Sequence, residues 1–104
     1  MSIFTKIINW EIPAEKYHED DICIAIKDIN PEDEIHFLVI PKKEIKTIFD
    51  MEEEDEKIVW HLHFIWAKVA KKLWLEWCKM KFNVWEKWWQ EVMHIHLHVT
   101  WNFK

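Results

Sequence analysis

EKWWQEVMHIHLHVTW, residues 86–101, decides how the rest of the chain is read. His94, His96 and His98 alternate with Ile95, Leu97 and Val99. In a strand, every second side chain falls on one face. The three imidazoles therefore share a face, and the three aliphatic residues enter a core. Folding does not need three histidines in a row, so the stretch reads as a site. Two chemistries fit it. Three neutral imidazoles can hold Zn²⁺ with an open fourth position. Alternatively, the middle imidazole is a nucleophile whose neighbours position it and bind developing charge. Crowded imidazoles disfavour protonation, which would keep such a nucleophile neutral. The surroundings are odd: Trp88-Trp89 precede the histidines and Trp101 follows them, where a pocket should have room.

The rest of the chain sets limits on partners. Its 104 residues suit one domain, 1–104, and half of them are hydrophobic, so a packed core is expected. A net charge of −5 argues against a nucleic-acid partner, which is held by clustered Lys and Arg. Cys23 and Cys78 form no Cys-x-x-Cys pair, so neither a disulfide framework nor a zinc knuckle is expected. With no leader and no long apolar run, a cytoplasmic protein without a membrane partner is expected.

Residues 3–9 read as a short amphipathic helix. Short strands are expected at 17–18, 22–27, 36–40, 80–84 and 92–100, with a loop at 28–34 fixed by Asn30-Pro31. Residues 50–73 read as the one long helix. Asp50 is its N-cap, acidic residues load its first turn, and Ile58, Leu62, Ile65, Val69 and Leu73 form its buried stripe. His61 and His63 read as half-buried helical residues. The class is α+β, with one long and one short helix packed on a mainly antiparallel sheet of about five strands.

QEVMHIHLHV resembles the signature of the histidine triad (HIT) family. IFTKIINWEIPAEKYHEDD and IAIKDINPEDEIHFLVIPKKEI are similar to the opening and ribose-binding segments of its Hint branch, the purine nucleoside phosphoramidases. The resemblance covers nearly the whole chain in order and implies the HIT fold. It makes His96 the nucleophile, with His94 and His98 flanking it against the phosphate. Asp28 would bind ribose hydroxyls and Asn83 would lie near phosphate and ribose. Gln90, Glu91 and Val92 would form the loop over the α-phosphate, beside Trp88 and Trp89 of the phosphate loop. Ile3, Phe4, Ile7 and Ile22 would line the base pocket. Where some relatives carry zinc ligands, this chain has Ser2, Thr5 and Glu44, so neither a metal nor another cofactor is implied.

The same resemblance accounts for the tryptophans. The nine Trp fall on family glycine positions, and the chain has no glycine, where an average composition of about 7% would give roughly seven. Either UGA codons meaning glycine were written as Trp, or glycine was exchanged throughout. The implied activity is hydrolysis of the P–N bond of purine nucleoside 5′-phosphoramidates, provided that the phosphate loop is glycine. A homodimer is implied, with Trp74 and Trp77 near its seam. Dinucleoside polyphosphate hydrolysis is the alternative enzyme, and a non-catalytic nucleotide-binding or scaffold protein is the alternative outside enzymes.

Overall fold

Ile35–Pro41 is the apolar, β-branched run that anchors the sheet, because strands buried on both faces need such a run. The computed structural model describes residues 2–28, 31, 34–84 and 92–101. In chain order its elements are α1 (Ile3–Ile8), β1 (Lys16–Glu19), β2 (Cys23–Lys27), β3 (Ile35–Pro41), α2 (Glu56–Lys72), β4 (Lys79–Lys81) and β5 (Leu97–Trp101). The strands form one sheet in the order β1-β2-β3-β5-β4, and every neighbouring pair is antiparallel.

The two faces of the sheet bury different partners. Cys23, Ala25, Phe37, Val39, Leu97 and Val99 pack against Leu62, Ile65 and Val69 of α2. Ile24, Ile26, Leu38 and Ile40 on the other face pack against Phe4 and Ile7 of α1. The expected α2 stripe is therefore present, with Ile58 and Leu73 half-buried at its ends. Register carries the argument to the histidines: His98 pairs with Leu38 and lies on the α1 face, while Leu97 and Val99 pair with Val39 and Phe37 on the α2 face. Ile95, His94 and His96 are buried as well.

Three boundaries differ from the sequence reading by three residues or more. The long helix begins at Glu56, after two short 3₁₀ turns at Ile48–Asp50 and Glu53–Asp55. Asp50 is not its N-cap: its Oδ2 accepts hydrogen bonds from Thr47 N and Oγ1 and closes a separate capping box. The last strand starts at Leu97, because His94 N bonds to Val92 O and bends the chain there. Strand β4 covers only Lys79–Lys81.

Both helices end in the same way. Trp10 N donates to Ile7 O and Glu11 N to Lys6 O. At the other helix, Trp74 N donates to Lys71 O and Leu75 N to Ala70 O. These are Schellman closures, and each needs a left-handed residue just past the cap. Trp10, at φ 63°, and Trp74, at φ 62°, fill that place. It is a position that glycine takes without steric cost.

Candidate active site

The histidine cluster sits where the β3–β5 pair meets α1, and its ring nitrogens have definite jobs. His96 Nδ1 donates to the main-chain carbonyl of His94 at 2.8 Å. A carbonyl only accepts, so the proton stays on Nδ1 and the lone pair lies on Nε2. The ring of Phe4 packs against His96 at 4.8 Å between centroids and 66° between planes. His98 lies on the other side, with ring centroids 4.7 Å apart.

His98 belongs to a cluster with His36 and Asp28 that meets at one nitrogen of His36. Its Nδ1 lies 2.9 Å from His36 Nε2, so one proton is shared between the two nitrogens. His36 Nε2 lies 3.3 Å from Asp28 Oδ2. The opposite nitrogen, His98 Nε2, lies 3.4 Å from Asn83 Nδ2. Burial, and then the positive charge that His96, His36 and Lys81 can carry, pushes His98 down to about 3. His98 is therefore neutral at physiological pH.

His94 is fully buried and differently employed. Its Nε2 donates to Pro41 O at 2.7 Å, and its Nδ1 accepts from the Ser2 hydroxyl at 2.6 Å. Ser2 Oγ accepts from Thr5 N, Ser2 N donates to Glu44 Oε1 at 2.6 Å, and the Thr5 hydroxyl donates to the same oxygen. The positions where some relatives carry zinc ligands thus meet in space. Here they are hydroxyls and a carboxylate without a thiolate, and the imidazole nitrogen is taken by Ser2. Such a set seals α1 onto the start of the triad and does not suit zinc. Burial, opposed by the bond to Pro41, lowers the His94 pKa.

The remaining predicted residues fall in different surroundings. Phe4 and Ile7 belong to the core beneath α1, Ile3 and Ile22 are exposed, and Val92 is half-buried against that core. Trp88, Trp89, Gln90 and Glu91 lie outside the described residues. His36 is the residue that the sequence reading passed over. It sits in an otherwise apolar strand, and a buried polar group in such a run must have a partner. That was the available signal.

The depressed His98 value gives a pH prediction. The folded state holds this imidazole neutral, while the unfolded chain protonates it near 6.5. Stability is therefore full above about pH 6.5 and falls as pH drops toward 3, because the unfolded state binds the extra proton. Urea midpoints measured from pH 7.5 to 4.5 should decline, and His98→Gln should flatten that decline. An unchanged slope in the variant would refute the assignment.

Comparison with known proteins gives the family and the fold. Residues 1–103 match the family described as scavenger mRNA decapping enzyme C-term binding. An uncharacterised HIT-like protein of Synechocystis is 38% identical over 99 residues, covering 94% of this chain and 87% of that protein. The structure of a HIT family hydrolase from Legionella pneumophila superposes with a TM-score of 0.93 at 37% identity, over 97% of this chain and 92% of the other. A histidine triad protein from Clostridium difficile gives 0.90 at 37% identity, over 94% and 87%. With His94, His96 and His98 in one buried cluster and these matches along its length, the chain belongs to the histidine triad family.

Proposed function

We propose that this chain is a Hint-branch hydrolase that cleaves the P–N bond of purine nucleoside 5′-phosphoramidates. The observation that carries the reading is the hydrogen bond from His96 Nδ1 to His94 O, which directs the lone pair to Nε2. Nε2 attacks phosphorus, the P–N bond breaks, and the amine leaves with a proton. Water then attacks the nucleotidyl-histidine, the P–N bond to His96 breaks, and the nucleoside monophosphate departs. A neutral His98 beside Asn83 supplies polar contacts to the phosphate without competing for the role of nucleophile. Asp28 receives the ribose hydroxyls, and charge-assisted acceptance of two hydroxyls suits a carboxylate. His94 acts through its carbonyl, since both its ring nitrogens are engaged elsewhere. The working unit is a homodimer in the cytoplasm, and its chemistry uses no metal.

The reading holds for a glycine phosphate loop. A glycine-rich loop offers backbone N–H groups to oxygen, and two indoles at 88 and 89 would put bulk there. Two observations favour glycine: Trp10 and Trp74 both adopt the left-handed conformation that glycine takes freely. Tandem mass spectrometry of the peptide covering 86–101 from the native cell should give glycine at 88, 89 and 101. The glycine protein should turn over adenosine 5′-phosphoramidate at least about tenfold faster, by kcat/KM, than diadenosine polyphosphate. Acid-labile mass added to the His96 peptide during turnover should mark the intermediate. Preference for the diadenosine substrate would move the assignment to dinucleoside polyphosphate hydrolysis. Absence of turnover on both would leave a nucleotide-binding role.

A further inference from the structure

Between the β1–β2 turn and α2, three potential ligands, His18, Cys23 and His61, gather around the carboxylate of Asp20. Asp20 Oδ2 lies 2.7 Å from His18 Nε2 and 2.7 Å from His61 Nε2. Cys23 Sγ lies 4.0 Å from the same oxygen. One ligand atom each from Asp20, Cys23 and His61 fall within 4.8 Å of one another. The other carboxylate oxygen accepts from Ile22 N and Cys23 N, which fixes the group at the turn. The turn needs only that oxygen. The second oxygen instead gathers two imidazoles from separate elements. Of these, His61 stands with Cys23 and Asp20 where one cation could take all three, and His18 bonds the same carboxylate oxygen from the strand side.

We propose that His18, Asp20, Cys23 and His61 form a structural site for zinc or a similar borderline-soft divalent ion. The donor set is two imidazoles, one carboxylate and one thiolate, and this class of ligands selects Zn²⁺ over Mg²⁺ or Ca²⁺. Tetrahedral ligation at about 2.1 Å sets ligand atoms about 3.4 Å apart. The Asp20–imidazole distances need to grow by less than about 1 Å to admit the ion, and His18 joins as the fourth ligand by swinging its Nε2 from the Asp20 oxygen onto the ion. On binding, the Cys23 thiol loses its proton to solvent, and each neutral imidazole carries its proton on Nδ1 instead of Nε2. Entry is open, since the His18, Asp20 and His61 side chains retain 17%, 28% and 27% of their exposure. Cys23 forms the buried floor. Four protein ligands close the coordination sphere, so the ion ties the β1–β2 turn to α2 and performs no catalysis. The site shares no residue with the Ser2, Thr5, Glu44 and His94 set.

Titration of the metal-stripped full-length protein with Co²⁺ tests this. The expected result is a thiolate-to-cobalt charge-transfer absorption that saturates at one equivalent. It should persist in Cys78→Ser and vanish in Cys23→Ser, the conservative variant least able to disturb the fold. Zn²⁺ should displace the Co²⁺ and raise Tm in wild type and Cys78→Ser. Loss of His61 in His61→Gln should weaken binding at least about 100-fold, since even indirect partners of metal ligands cost 10–100-fold. The triad side holds a competing group, Asp28, His36 and His98, which contains no sulfur. Cobalt bound without a thiolate band would therefore place the metal there and overturn the proposal. So would a band that survives Cys23→Ser, or no binding at all.

Discussion

Replacing His96 by alanine will lower adenosine 5′-phosphoramidate turnover about 10⁴-fold or more in the glycine-loop protein, with circular dichroism unchanged. Loss of a residue that forms the covalent intermediate removes the route itself, and residues acting as one unit cost about 10⁴–10⁶ when the nucleophile goes. The geometry sets the expected order of the other variants. His98→Ala removes a neutral imidazole that touches both His36 and Asn83, so it should cost less than His96→Ala but more than Asn83→Ala. His36→Ala should act through His98. It is a positioning residue, and its readout is a shifted pH profile of kcat/KM that His36→Gln partly restores. His94→Ala should mainly weaken folding, because it unseats the bond to Pro41 O and the Ser2 contact. A His96→Ala protein that keeps most of its turnover would overturn the nucleophile assignment, whatever the other variants do.

The fold was legible where apolar periodicity was strong. The run at Ile35–Pro41 and the stripe Leu62, Ile65, Val69 announced the central strand and the long helix, because both bury a continuous face. The helix start was misread because acidic residues from Glu52 onward suit a first turn in composition. What sets the boundary is the Thr47–Asp50 capping box, which closes a separate 3₁₀ turn. In the triad, alternation gave the correct face for His98 and for Leu97 and Val99. It did not show that α1 covers that face, nor that His94 turns to Pro41, because those contacts join residues 53 and 92 positions apart. His36 and the pairing of His61 with Asp20 were missed for the same reason: the partner of each lies far along the chain and arrives only with the tertiary fold.

Replacing tryptophan by glycine will raise stability at some positions, lower it at others, and raise turnover when made at 88 and 89. Trp74 decides the first effect. It is 91% exposed, buries little, and holds φ at 62°. A non-glycine residue there costs roughly 1–2 kcal/mol, reduced by the larger chain entropy of glycine in the unfolded state. Trp74→Gly should therefore gain about 1 kcal/mol, read as a higher urea midpoint at unchanged slope. Trp10 has the same backbone, but Lys16 Nζ sits 3.1 Å above its ring. That cation–π contact is worth about 0.5–1 kcal/mol at an exposed site, so Trp10→Gly should gain less than Trp74→Gly. Inside α2 the sign reverses. Trp60→Gly should lose roughly 0.5 kcal/mol from helix propensity alone. Trp66→Gly should lose more, because this indole packs on the core and donates to Cys78 Sγ at 3.3 Å. Glycine at 88 and 89 acts on chemistry. If indoles there displace one backbone donor from the phosphate, kcat should rise about 10²–10³-fold on exchange, the usual worth of such a donor. Equal gains at 10, 60, 66 and 74 would refute the backbone argument, since only two of these positions hold a left-handed residue. A loop exchange that leaves kcat unchanged would refute the steric one.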